Sequence, residues 1–330
     1  MSFDQLFGNQ PLKDLLLRGL GQNRLPHSLL FTGSEGIGKR QFALALAQAY
    51  NCPVSPFAGC GHCATCLRIE KKEHPDVQLI SPDGTFIKVA QIRTELEKLS
   101  FEPFEGNRRV VIFDSAERMN LNAANALLKM LEEPPVHTSL ILVTPNAQAL
   151  LETIRSRCQI FRFQPLTIAE MEAYLSQNVR RPVEENQLLA RIALGSPGRV
   201  TGIDLTEYRA MRKEVLELIE LLGKGTQRVR LFKAATHFGK KERDEFEARL
   251  NLIESVLHDV LYLLNNIEPE KLIHLDVLTR LKSISQQFTI ERLAELLRRF
   301  EDIRKNMVRN ANRTMQLEAM FLEFIQPVRQ

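Results

Sequence analysis

Along the first half of the chain, short and fully apolar runs alternate with longer stretches whose apolar residues recur at helical spacing. Ser28-Leu29-Leu30-Phe31-Thr32 predicts a buried strand that runs into a glycine-rich loop. Gln41 to Tyr50, rich in Ala and Leu, predicts the helix that follows. Pro53 to Lys72 interrupts the pattern with Cys, Gly and Pro, and a helix is expected over Gln91 to Leu99. Arg109-Val110-Val111-Ile112-Phe113-Asp114 reads as a buried strand ending in an acid. Asn122 to Leu131 reads as a helix stopped by Pro134-Pro135, and Ser139 to Thr144 as another apolar strand. Repeated strand–helix alternation predicts a parallel, doubly wound α/β sheet over residues 1–165.

Beyond Phe163-Gln164-Pro165-Leu166 the strand signals fade. Thr167 to Asn178 predicts a helix with Thr167 as N-cap and Glu170 completing a capping box. A second helix, Glu184 to Leu194, is expected to end at Gly195-Ser196-Pro197-Gly198, which makes 166–207 a small helical domain. From 208 to 330 the helical period continues, with breaks near Gly223-Gly225, Glu268-Pro269 and Ser283 to Gln287. A third, all-helical domain of four or five helices is predicted there.

The loop after the first strand, Gly33-Ser34-Glu35-Gly36-Ile37-Gly38-Lys39-Arg40, fits a phosphate-binding P-loop up to its last position. Gly33, Gly36 and Gly38 let backbone N–H groups turn toward a polyphosphate, and Lys39 can reach its terminal phosphates. Arg40 stands where Ser or Thr would complete a Mg²⁺ shell, and a guanidinium has no acceptor to offer a cation. Asp114 occupies the position of a Walker B acid. Its usual neighbour, the Glu that polarises attacking water, is Ser115, and Glu117 is poorly spaced to substitute. The loop thus predicts a nucleotide site whose hydrolytic parts are damaged. Thr144, at its strand end, and Arg199, after Gly195-Ser196-Pro197-Gly198, are further candidates for contact with bound nucleotide. A plain surface charge is the competing reading of Arg199.

Cysteine supplies the second strong signal. Cys60-x2-Cys63-x2-Cys66, with Cys52 upstream, has the spacing of a closed tetrahedral structural Zn²⁺ site, and Gly59 and Gly61 permit its tight turns. Cys52 is the expected fourth ligand, with His62 and His74 as competing donors, and free thiols or a redox pair as the alternative to metal. Cys158 is expected to be buried packing. The remaining composition changes little. With 44% hydrophobic and 25% charged residues among 330, it is that of a globular protein of two or three domains. A net charge of +4 neither demands nor opposes nucleic acid. No run of about 18 apolar residues suggests a membrane span, and Met1-Ser2-Phe3-Asp4 does not open a secretory signal, so a cytoplasmic chain without membrane contact is expected. The basic stretch Arg298-Arg299, Arg304-Lys305, Arg309 and Arg313 reads first as the wet face of a helix and second as a DNA contact.

These motifs occur in a particular order. It runs through Pro26-His27-Ser28-Leu29-Leu30-Phe31-Thr32-Gly33, the cysteine knuckle and His74-Pro75-Asp76. Asn122-Ala123-Ala124-Asn125-Ala126-Leu127-Leu128-Lys129, Leu131-Glu132-Glu133-Pro134-Pro135, Ser156-Arg157-Cys158 and Gly195-Ser196-Pro197-Gly198-Arg199 follow. In that order they resemble the delta-prime family of bacterial DNA polymerase III clamp-loader subunits. The specific motifs cover some 200 residues, and the remainder matches only in being helical.

The resemblance implies an AAA+ P-loop module with a zinc-knuckle insertion at about 52–66, a small helical lid, and an all-α collar through which five subunits form an open ring. Implied partners are gamma/tau-like motor subunits, a delta-like subunit, the sliding clamp, and primer-template DNA reached through the complex. It also implies that Arg157 is an arginine finger offered to the ATP of a neighbouring motor subunit, and that the chain is a stator. Retention of Lys39 leaves nucleotide binding without turnover open. Rival readings are an active motor subunit, which would be expected to carry Ser or Thr at 40 and Glu at 115, and a zinc-stabilised protein that binds DNA unaided. A P-loop kinase would need an acceptor pocket and a working Mg²⁺ ligand, neither of which the sequence offers.

Overall fold

Buried on both faces, the central strands carry almost uninterrupted apolar runs, as strands of a parallel sheet covered by helices do. The structure, a computed structural model, describes residues 2–99, 101–225, 227–307 and 311–325. By contacts the chain divides into two units, Met1–Arg180 with Ala193–Thr201 and Arg181–Ile192 with Gly202–Gln330.

The first unit opens with α1 (Gln10–Gly21), β1 (Ser28–Thr32), α2 (Lys39–Asn51), α3 (Ala64–Glu70), β2 (Val77–Ile80) and α4 (Val89–Leu99). It continues through β3 (Arg109–Phe113), α5 (Leu121–Glu132), β4 (Thr138–Thr144), α6 (Glu152–Arg155), β5 (Gln159–Arg162) and α7 (Ile168–Asn178). The strands form one parallel sheet in the order β2-β3-β4-β1-β5. Thr32 lies beside Thr144 and Phe113 beside Leu142, so the C-terminal ends of β1, β3 and β4 share one edge. Two cores cover the sheet. One gathers α2 with Phe31, Phe42, Phe161 and Phe163, whose rings meet at 4.9–5.7 Å, and the other gathers α4 and α5. Such edge-on aromatic contacts fix α2, and with it the P-loop, against β1.

Elements beyond those the periodicity predicts include α1, α3 and β2. In β2 only four residues are extended, and α3 is one of the shortest helices, capped by Cys63 through Cys66 N–H. The capping box at Thr167 and Glu170 is present in α7.

The second unit contains α8 (Val183–Ile192), while the four-residue α9 (Pro197–Val200) belongs to the first. Then come α10 (Leu205–Lys224), α11 (Arg228–Gly239), α12 (Arg243–Leu264), α13 (Leu278–Ser285), α14 (Ile290–Met307) and α15 (Arg313–Ile325) around a single core. The described residues after 204 thus form six helices, not four or five. Breaks at Lys240–Glu242 and between α14 and α15 carry no proline, and glycine stands only at the end of α11, so neither is announced by composition. The long connection from α12 to α13 is held by Asp259, which accepts from the backbone N–H of Ile273 and His274 and lies 2.7 Å from His274 Nδ1. His274 Nε2 in turn meets the Tyr208 hydroxyl at 2.8 Å.

On α14, Leu293, Leu296, Phe300, Ile303 and Met307 are buried, and the basic residues lie outside that stripe. Arg299 pairs with Glu323, Arg304 with Glu254 and Lys305 with Glu301, as a solvated helix face requires. The predicted basic position Arg309 lies outside the described residues.

Candidate functional site

A cleft of about 840 Å³ opens in the first unit at the C-terminal edge of the sheet. Its floor is the P-loop, which turns back at three glycines with positive φ, Gly33 (143°), Gly36 (78°) and Gly38 (99°). Gly36 is also met by the chain at Gly198. The N–H of Gly198 donates to Gly36 O at 2.9 Å, and a Cβ on Gly198 would lie 2.9 Å from Gly36 Cα. Only glycine on both sides permits this approach. α2 begins at Gly38 with no side-chain cap, so its first N–H groups face the cleft, an arrangement suited to anions. Lys39 is 6% exposed, and its Nζ donates to the carbonyls of Gly33 and Ser34. Burial pushes its pKa down, against the opposing pull of Glu117, Asp114 and Glu35.

Arg40, Asp114, Thr144 and Arg199 line the same cleft. Arg40 Nη1 lies 3.3 Å from Asp114 Oδ2, so the residue that replaces the magnesium ligand is paired with the acid that would share the ion. The Thr144 hydroxyl donates to Asn146 O at 3.1 Å and accepts from its N–H, which shapes the end of β4. Arg199 has no acidic partner among the described residues.

Four further lining residues bear on what the cleft can hold. Phe7 and Tyr174 meet edge-on at 5.3 Å and give the cleft an aromatic end. Arg118 adds a cation. Glu117, whose spacing suits it poorly to replace the water-polarising Glu, also lines the cleft, and its Oε2 is buried without a hydrogen-bond partner among the described residues. A 3₁₀ turn at Ala116–Arg118, following Ser115 at φ 58°, folds it back over the P-loop edge. Phe7 and Tyr174 lie far apart in the chain, so no local spacing could have joined them.

Arg157 stands elsewhere. It precedes β5, whose Gln159 pairs with Leu29 near the start of β1, and so lies at the N-terminal edge of the sheet, opposite the cleft. Its Nη2 is 2.6 Å from Glu132 Oε1, and its Nη1 donates to Thr153 O at 3.0 Å. Cys158, immediately after it, is buried, and burial pushes its thiol up to about 12.

Cys52, Cys60, Cys63 and Cys66 bring their sulfurs within 4.8 Å of one another. Two of the separations, Cys52–Cys63 and Cys60–Cys66, are 3.9 Å. Tetrahedral Zn–S bonds of about 2.3 Å put sulfurs about 3.8 Å apart, so the four thiols could hold such an ion with little movement. Backbone N–H groups of Ser55 and Cys60 donate to Cys52 Sγ, that of Cys63 to Cys60 Sγ, and that of Cys66 to Cys63 Sγ. The competing histidines have other partners. His62 Nδ1 meets Cys60 O, while buried His74 lies between Glu105 and the N–H of Asp76. The N–H of His62 is the main cause that draws the Cys60 thiol down to about 6, whereas burial pushes Cys66 up to about 12. The knuckle is tied to α2 by Gln48, whose amide donates to Cys66 O at 2.8 Å.

Residues 8–167 match the family model described as DNA polymerase III, delta subunit, and residues 209–326 match DNA polymerase III, delta subunit, C terminal. The DNA polymerase III subunit delta' of Bacillus subtilis is 33% identical over 301 residues, which cover 90% of this chain and 90% of its own. That of Pseudomonas aeruginosa is 34% identical over 61% of this chain and 63% of its own. The tau subunit of Escherichia coli DNA polymerase III is 34% identical over 59% of this chain but only 31% of its own length. No helix among the described residues is long and apolar enough to cross a membrane.

Proposed function

The chain belongs to the DNA polymerase III delta-prime family, and from that premise we propose that it is a stator of a clamp loader, completing a neighbour's ATP site without turning over ATP itself. The observation that carries this reading is the position of Arg157 at the opposite edge of the sheet from the chain's own P-loop cleft. An arginine there is remote from nucleotide bound in its own chain but open to a subunit packed against that edge. A planar guanidinium suits the equatorial oxygens of a transferring phosphoryl group.

In this reading residues 1–165 form an AAA+ module, 166–207 a lid and 208–330 a collar. The partners are gamma/tau-like and delta-like subunits in a hetero-pentamer that loads a sliding clamp onto primer-template DNA in the cytoplasm. The cysteine cluster holds a structural Zn²⁺. Four thiolates leave no open position on the ion, so its contribution is to folding of the insertion. Nucleotide binds in the P-loop cleft, which supplies backbone N–H groups and Lys39 to its phosphates. One observation favours the motor reading instead, the presence of Glu117 in the cleft.

The test is R157A in a reconstituted loader. Assembly should be intact on gel filtration, and ATP hydrolysis stimulated by clamp and primed DNA should fall. A full stimulated rate would remove the finger from the reading.

A further inference from the structure

Resting on the reading of the cleft as a nucleotide site, the disagreement between its residues and the magnesium ion of P-loop enzymes has a consequence of its own. Mg²⁺ demands near-ideal octahedral coordination by oxygens. The hydroxyl that would bind it is replaced by Arg40, and the nearest acid, Asp114, already faces the Arg40 guanidinium at 3.3 Å. Neither of these two positions offers the ion a free hydroxyl or carboxylate. We infer that the cleft takes the polyphosphate of a nucleotide without a divalent metal, Arg40 carrying within the protein the positive charge that Mg²⁺ carries elsewhere.

The geometry supplies each part of this exchange. Arg40 is in the first turn of α2, beside Lys39 and the uncapped N–H groups. Its side chain is 46% exposed and that of Asp114 is 21% exposed, so the pair is open enough to rearrange when phosphate arrives. A guanidinium can then bridge two phosphate oxygens while keeping Asp114 masked. Arg199 faces the cleft without an acidic partner among the described residues, and Arg118 lines it as well. The lining thus holds Lys39, Arg40, Arg118 and Arg199 against Glu35, Asp114 and Glu117. With Asp114 neutralised by Arg40, cations exceed the unmasked acids without help from a metal.

The experiment is titration of the full chain with a fluorescent N-methylanthraniloyl ATP, in EDTA and in excess Mg²⁺. The wild-type dissociation constants should agree within about twofold. R40T, which restores the hydroxyl, should bind more than about tenfold tighter in Mg²⁺ than in EDTA. D114N, which releases the guanidinium, should bind in EDTA at least as tightly as wild type. Wild-type binding tightened more than about tenfold by Mg²⁺, or loss of EDTA affinity in D114N, would overturn the inference while leaving the nucleotide site standing. Absence of binding in both buffers would overturn the nucleotide reading itself, and the inference with it.

Discussion

Replacing Glu132 and replacing Arg157 should move the ATPase of an assembled loader in opposite directions and by very different amounts. In this chain Arg157 is parked on Glu132 at 2.6 Å, with 36% of the arginine side chain and 50% of the glutamate side chain exposed. A pair that open to water contributes about 0–1 kcal/mol. If Arg157 must leave Glu132 to reach a neighbour's ATP, the pair opposes the move by that amount. E132Q should then raise stimulated turnover by at most about fivefold, the rate equivalent of about 1 kcal/mol. R157A removes an interaction that contributes about a thousandfold or more in phosphoryl-transfer enzymes that use such a finger. The loss at the one site this chain completes should therefore far exceed any gain from E132Q. R157K keeps the charge but not the fork, and should recover only a small part. The assay is steady-state ATP hydrolysis by the reconstituted loader with clamp and primed DNA, with assembly checked by gel filtration. A parallel fall for E132Q and R157A would show the pair to be a structural clasp and would refute the exchange.

The remaining predictions concern the first unit. C60S or C63S should lower bound zinc well below one ion per chain by elemental analysis and lower the melting temperature. In the wild type, Cys63 and Cys66 have raised pKa values and release their protons on binding. Zinc affinity, measured against a chromophoric chelator, should therefore drop by at least about a hundredfold from pH 8 to pH 7, one decade for each proton released. Asp76 accepts from the N–H groups of Phe104, Glu105 and Gly106. Burial acts to raise its pKa, but these bonds and Arg109 prevail and hold it below 3.8. D76N should cost about 2–4 kcal/mol in urea unfolding at pH 7. Because the folded pKa is the lower one, the wild-type advantage is complete above the unfolded value of 3.8. It should shrink as pH falls from there through the folded value.

Features encoded locally could be read from the chain in advance. The strand–loop–helix around Lys39, the sulfur spacing and the capping box at Thr167 each lie within one short continuous segment, and backbone geometry enforces them directly. Two of the elements that went unread are short or disguised. β2 is four residues long, and α3 hides among cysteines. In the second unit, α11 gives way to α12 across Lys240–Glu242 without a proline to mark the break. Pairings across the fold left no trace in spacing. Arg40 and Asp114 are 74 residues apart, and the cleft's aromatic end joins Phe7 to Tyr174. Only the order of β1, β3 and β4 in the sheet brings the P-loop and Asp114 to one edge, and that order is a property of the whole unit. The 3₁₀ turn after Ser115 likewise brings Glu117 into the cleft lining, a placement that spacing does not reveal.

ATP hydrolysis by the purified chain alone, in the presence of Mg²⁺, tests the stator reading most directly. With Arg40 and Ser115 where a metal ligand and an activating glutamate would stand, the chain should show no turnover above background at any ATP concentration. Sustained Mg²⁺-dependent hydrolysis, abolished by K39A, would contradict it and make the chain a motor.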